Sequence, residues 1–201
     1  MIVVIDVTGR EGQLLAVHSN KEKLSWTKGK HAEILGRHLD RLSRLESIDK
    51  VGVMTGPGSF TGIRIGLSMA LGLRSAKGIP LYALSKFELA WHLLKGQKVK
   101  GIAFPAMRGS CYTQQAPHLP VQLTRTKTAS EAGNQLFSSG WYGKGQDLPR
   151  AVSELPDLCH HFYELIQKKE IQPTEQPVPL YVRPPDATVG IPLIQRLLNK
   201  Q

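Results

Sequence analysis

The sequence predicts an α/β fold in which a mixed β-sheet is flanked by helices. Three observations carry that class. Residues 1–27 read as short strands joined by polar turns, and residues 31–106 then alternate helix with strand. The chain has 201 residues and is 41% hydrophobic, enough to bury a sizeable core.

The elements follow in order. Met1–Val7 is an apolar, β-branched run, and a turn at Thr8–Gly12 leads to a second strand over Gln13–His18 and a third over Leu24–Thr27. From His31 to Leu45, residues Ile34, Leu35, Leu39, Leu42 and Leu45 share one helical face, while Arg37, Arg41 and Arg44 line another. Val51–Met54 reads as a short buried strand. A Gly/Pro-rich loop follows, then a long helix over Thr61–Lys77 with Thr61 as a cap and Gly78 as its C-terminal stop. A strand at Leu81–Leu84, a helix at Phe87–Leu94 and a strand at Ile102–Ala106 complete this half. The second half is less regular. It offers a strand over Cys111–Gln115, a capping box at Thr128–Glu131, a helix over Pro156–Lys168, an extended stretch at Ile171–Pro185 holding five prolines, and a short helix at Ile194–Leu198. No internal repeat and no low-complexity tract is evident.

Composition excludes several classes. The longest uncharged apolar run, Ile65–Leu73, is far short of the roughly 20 residues of a membrane span. Asp6 interrupts the apolar stretch that a secretory signal would need. Cys111 and Cys159 lack paired spacing and read as reduced thiols, so a cytoplasmic protein is expected. The net charge is +10, and residues 1–104 carry sixteen basic against eight acidic side chains. That surplus fits either an acidic partner such as nucleic acid or a solubilising surface.

The informative stretch runs from Val51 to Gly66. Gly56, Gly58 and Gly62 sit between a strand and a helix, where backbone N–H groups and the helix dipole favour an anion. The spacing is neither a Walker A loop nor a dinucleotide fingerprint. The alternative is a tight turn with glycine as permissive backbone. Behind the loop, Gly62, Gly66 and Ala70 form one small-residue stripe, and Ser68, Gly72 and Ala76 form a second. Glycine inside a helix costs about 0.8–1 kcal/mol relative to alanine, so close backbone approach is expected there, against a partner helix or against the chain's own sheet.

Thr55-Gly-Pro-Gly-Ser-Phe-Thr-Gly-Ile-Arg-Ile-Gly66 resembles the signature of the bacterial TsaB (YeaZ) proteins of tRNA threonylcarbamoyladenosine synthesis. The opening Val4-Ile5-Asp6, the His31–Leu35 helix start, the Met107–Tyr112 turn and the closing Pro179–Pro184 fall in the same order as in that family. The resemblance implies an actin/Hsp70/sugar-kinase-like (ribonuclease H-like) fold of two lobes, residues 1–104 and a reduced 105–201. It also implies a non-catalytic, cytoplasmic subunit that pairs with a homologous metal- and nucleotide-binding TsaD, joined by the ATPase TsaE. That complex transfers threonylcarbamoyl from its adenylate to N6 of the adenosine at tRNA position 37. By the same resemblance, the partner face uses the helices containing His31, Ile34, Leu35, Gly62, Gly66, Ala70 and Gly72, and a homodimer forms when TsaD is absent. ATP or ADP is expected, if anywhere, at the inter-subunit face, with tRNA contacted indirectly or peripherally.

The chemistry itself is sparse. Asp6, Thr8 and Gly9 stand where this fold's first phosphate turn would be, and Gly56, Gly58 and Thr61 are further candidates for phosphate-facing positions. At the second turn, Pro105 and Ser110 replace the acidic residues that the family pattern carries. His31 and His38 are two helical turns apart, too far for a joint chelate, and His160-His161 with Glu164 lacks a third ligand. No catalytic residue and no metal ligand is assigned. The basic face of Arg37, Arg41 and Arg44 suits either tRNA phosphates or an acidic rim on a protein partner. Two rivals remain: an actin-like nucleotide-dependent phosphotransferase or ATPase acting alone, and a tRNA-binding module acting alone.

Overall fold

A computed structural model describes residues 1–9, 11–17, 22–26, 30–45, 47–106, 109–125, 141–144 and 152–182. No helix among them is long and apolar enough to cross a membrane. The first sheet contains β1 (Ile2–Asp6), β2 (Gly12–Val17), β3 (Glu22–Trp26), β4 (Lys50–Met54) and β5 (Leu81–Leu84), in the order β3-β2-β1-β4-β5. β1, β2 and β3 are antiparallel, while β4 and β5 run parallel to β1.

The second sheet contains β6 (Gly101–Pro105), β7 (Ser110–Gln114), β8 (Gln122–Arg125), β9 (Trp141–Gly143) and β10 (Val152–Glu154), in the order β10-β9-β6-β7-β8. Its pairings are again antiparallel through β6, β7 and β8 and parallel through β6, β9 and β10. Read in chain order, both sheets have the same strand plan. This is the duplicated ribonuclease H-like arrangement, a repeat of topology that leaves no repeat in the sequence.

Strand alternation divides the first lobe's burial between two layers. Val3, Ile5 and Val7 face Leu35, Leu39 and Leu42 of α1 (His31–Leu45) and Ile63, Leu67 and Ala70 of α2 (Phe60–Lys77). Val4 and Met54 on the other face join Phe87 and Leu89 of α3 (Lys86–Leu93), Phe162 and Ile166 of α4 (Leu158–Gln167), and Phe104 and Tyr112 of the second sheet. The inner helices therefore share one core with both sheets. Gly52 makes room for this contact, because a Cβ there would lie 2.9 Å from Ile166 Cδ1.

Local capping explains the helix starts. Ser59 caps α2, accepting from the Gly62 N–H at 3.2 Å, so the cap is Ser59 and not Thr61, which is exposed. Gly78 ends the helix with φ 63°, in the left-handed conformation glycine adopts without strain. Ser85 and Glu88 form a reciprocal capping box on α3, and Asp157 caps α4.

The division at residue 104/105 needs correction. β6 spans that position and belongs to the second sheet, so the change of lobe falls in the turn before Gly101. The tail also returns to the first lobe: Thr174 N–H donates to Leu81 O at 2.6 Å, and Leu180 N–H donates to Thr55 O at 2.8 Å. The Thr128–Glu131 capping box and the helix at Ile194–Leu198 lie outside the described residues.

Candidate functional site

The end of β1 and the β4–α2 loop meet directly. Asp6 Oδ1 accepts from the Thr8 N–H at 2.9 Å and from the Thr8 hydroxyl at 2.6 Å. Its Oδ2 lies 3.4 Å from Lys86 Nζ, and the two side chains are only 13% and 16% exposed. Lys86 is itself positioned by the loop, because its N–H donates to Gly56 O at 2.7 Å. A nearly buried carboxylate requires such a partner.

The glycines of the loop allow close approach. Gly56 has φ 125°, a conformation that disfavours a side chain, and a Cβ there would sit 2.8 Å from Leu180 O. A Cβ on Gly58 would collide with Thr8 O, and one on Gly62 with Val7 O. Ser59 N–H donates to Thr8 O at 2.7 Å, while the Gly62 N–H is held by the Ser59 hydroxyl. Two donors that a phosphate cradle would present are thus already engaged within the protein. The structure brings Asp6, Thr8, Gly56 and Gly58 together, leaves Gly9 in the adjoining bend and places Thr61 on the exposed helix surface. These contacts close the loop as a tight turn on the end of β1.

The two small-residue stripes of α2 separate cleanly. Gly62, Gly66 and Ala70 are buried against the chain's own sheet. A Cβ on Gly66 would lie 3.0 Å from Val7 Cγ2 and 3.4 Å from Val53 Cγ2. Assigning these three to a partner face is therefore corrected, and so is Leu35, which is fully buried in the same core. The second stripe of Ser68, Gly72 and Ala76 is exposed, and nothing lies within 4 Å of a Cβ built on Gly72. Beside it, Ala32 of α1 and Phe60, Thr61, Arg64, Ile65, Ser68 and Met69 of α2 line a shallow groove of about 380 Å³. Arg64 lies over the Phe60 ring at 3.9 Å, and Tyr181 of the returning tail packs on the same ring at 4.7 Å.

The arginine face of α1 is less basic than its sequence implies. Arg37 pairs with Glu33 at 3.0 Å and Arg44 with Asp40 at 3.1 Å, each one turn earlier; Arg41 is also engaged. Such exposed pairs contribute little stability, but they lower the charge presented to a polyanion. Ile34 is half-buried. His31 accepts at Nδ1 from the Trp26 indole N–H at 2.9 Å, which places the neutral ring's proton on Nε2. His38 packs against the same indole. Among the described residues, no group of three His, Cys, Asp or Glu side chains is arranged to hold a metal ion.

Sequence reasoning missed Lys86 and the His92–His161 contact. A capping box at Ser85–Glu88 is readable and places Lys86 at the first helical position. Nothing local links that lysine to Asp6, because the β1–β4–β5 order creates the contact.

Comparison with known proteins follows the geometry. Residues 7–131 match the family described as "TsaD: tRNA N6-adenosine threonylcarbamoyltransferase". A tRNA N6-adenosine threonylcarbamoyltransferase from Dinoroseobacter shibae is 39% identical over 61 residues, covering 30% of this chain and 17% of that protein. The tRNA threonylcarbamoyladenosine biosynthesis protein TsaB of Bacillus subtilis is 37% identical over 71 residues, 34% of this chain and 30% of that protein. The matched stretches thus span less than a third of either relative. Among solved structures, a Pseudomonas aeruginosa protein described as similar to peptidase YEAZ superposes with TM-score 0.61 at 18% identity, covering 90% of this chain and 99% of the other. YeaZ from the same species gives TM-score 0.59 at 20% identity, covering 90% and 98%. At these identities the superpositions establish the shared fold.

Proposed function

The chain belongs to the family described as tRNA N6-adenosine threonylcarbamoyltransferase, within its TsaB (YeaZ) group, and from that premise we propose that it serves tRNA threonylcarbamoyladenosine synthesis as a non-catalytic partner subunit. The observation that carries the reading is the exposed Ser68–Gly72–Ala76 stripe on a long helix whose opposite face is already packed. Small residues four apart let a second helix approach nearly backbone to backbone. A TsaD-type subunit docks across α1 and α2 and supplies the threonylcarbamoyl-transfer chemistry, with a TsaE-type ATPase joining the pair. In the absence of TsaD the same face pairs two copies of this chain.

On this reading the chain activates by holding its partner in a productive arrangement. The Asp6–Lys86 pair supports that division of labour, because the cleft carboxylate already has an internal counter-ion. The mixed charge of α1 favours an acidic-and-basic protein rim over direct binding of RNA phosphates, leaving tRNA as a peripheral contact. Any ATP or ADP belongs at the face between subunits.

Co-purification with the TsaD-type protein of the same organism tests the docking. Wild type is expected to capture it, and Gly72→Leu, which places a bulky side chain on the stripe, is expected to abolish capture. Undiminished capture by a folded Gly72→Leu variant refutes the interface. Undiminished threonylcarbamoyladenosine in bulk tRNA after loss of the gene refutes the pathway. Micromolar binding and turnover of ATP–Mg²⁺ by the isolated chain, lost in Asp6→Ala, would instead establish a nucleotide-dependent enzyme.

A further inference from the structure

A pair of imidazoles meets between α3 and α4, away from the Asp6–Lys86 pair and from α1 and α2. His92, in the last turn of α3, has Nδ1 3.2 Å from Nε2 of His161 in the first turn of α4, with ring centroids 5.3 Å apart. A hydrogen bond between two imidazoles needs one protonated nitrogen and one bare nitrogen. When both rings are cationic, no acceptor remains and two positive charges face each other.

The surroundings bear unequally on the two rings. Glu170 Oε2 lies 3.8 Å from His92 Nε2 and attracts a proton toward His161. Glu164 also attracts a proton toward His161, but its carboxylate is shared with His160 at 3.3 Å and Lys168 at 3.8 Å. Burial first, and then the adjacent His92, hold His161 below the ordinary histidine range; Lys168 acts in the same direction, against Glu164 and Glu170. The helices joined here belong to the core shared by the two sheets, through Leu89 and Ala90 on α3 and Phe162 and Leu165 on α4.

We propose that His92 and His161 form a proton-sensitive clasp, closed while at most one ring is cationic and open once both are, that fastens the C-terminal end of α3 to α4. Opening frees the end of α3 whose start holds Lys86 against Asp6, so acidification loosens the element that spans the core between the lobes.

Hydrogen exchange on the whole protein reads this directly. The amides of Leu94 and Lys95 close the end of α3 by donating to Ala90 O at 3.0 Å and His92 O at 3.3 Å. Their protection, corrected for intrinsic rates, is expected to fall about tenfold as pH is lowered from roughly 7 to 5. His161→Gln and His92→Gln keep a hydrogen-bonding side chain that does not titrate, and each is expected to remove the step. A step of equal size in both variants, or none in wild type, overturns the clasp. If His161→Gln fails to fold, ring-proton NMR decides on wild type: a His92 titration unaffected by the protonation of His161 overturns it as well.

Discussion

Leucine placed at Gly66 and at Gly72 should have opposite effects, because Gly66 is buried against the sheet and Gly72 is exposed. At Gly66 the first added carbon already stands 3.0 Å from Val7 Cγ2, 3.4 Å from Val53 Cγ2 and 3.8 Å from Ile5 Cγ2, and a leucine must fit the rest of its side chain beyond that point. Overpacking of this kind costs about 1–3 kcal/mol, and the helix gains back about 0.8 kcal/mol on losing glycine. Because the whole isobutyl group must enter, the upper part of the range applies and the net loss is about 2 kcal/mol. For a chain of this size that lowers Tm by about 4–8 °C. At Gly72 no atom of the chain lies within 4 Å of the added Cβ, so in dilute solution, where the protein is monomeric, the propensity gain stands alone and Tm rises by about 2 °C. Thermal denaturation followed by circular dichroism measures both, and partner capture is assayed on the same preparations. A Gly66→Leu protein as stable as wild type would refute the assignment of that stripe to internal packing. A Gly72→Leu monomer that loses stability would refute the openness of the second stripe.

Further outcomes follow from the same geometry. Lys86→Met leaves the Asp6 carboxylate nearly buried without its counter-ion and should destabilise by about 3 kcal/mol; urea denaturation should show most of that loss recovered in the Lys86→Met/Asp6→Asn double variant. His161 has a folded-state pKa below its unfolded value, so its contribution to stability is fully present above about 6.5 and is lost as pH falls through the depressed value. The urea midpoint should accordingly fall between about pH 7 and 5, and the fall should be smaller in His161→Gln. Thr174→Val deletes the hydroxyl that accepts from the Ala83 N–H at 3.1 Å, costing about 1 kcal/mol by thermal denaturation. Arg37→Ala and Arg44→Ala remove exposed pairs and should each change stability by less than about 1 kcal/mol in the same measurement.

What was legible in the sequence depended on how local its cause was. α1 begins and ends where its apolar spacing places it, at His31 and Leu45, because an amphipathic stripe is written into neighbouring residues. Gly78 was readable as a stop for the same reason. β8, β9 and β10 were not anticipated: they are three or four residues long, too short to leave a periodic trace, and β9 is placed by pairing to β6, far away in the chain. The orientation of α2 was equally hidden. Both of its stripes satisfy the same four-residue spacing, and only the position of Val7 and Val53 decides which one the sheet takes. Asp6 was placed at the end of β1 through the fold that the family resemblance implies, whereas its partner Lys86 opens α3, the helix after β5, two strands along the sheet order.

The duplicated topology makes the ends of β1 and β6 equivalent positions in the two lobes. β1 and β6 hold equivalent central places, each antiparallel to the next strand and parallel to a later one. β1 ends in Asp6, which is hydrogen-bonded and ion-paired. β6 ends in Pro105 and is followed by Ala106, whose N–H simply returns to Ser110 O at 2.8 Å. A backbone bond can close the β6–β7 turn, but it offers a ligand neither charge nor a titratable proton. Lys86 then reaches toward both lobes, 3.4 Å from Asp6 and 6.0 Å from the Phe104 ring of β6. The two lobes therefore meet around a cation supplied by the chain itself. Removing that cation should loosen the end of β1 and the β4–α2 loop before it weakens either sheet, an order that residue-resolved hydrogen exchange of Lys86→Met can establish.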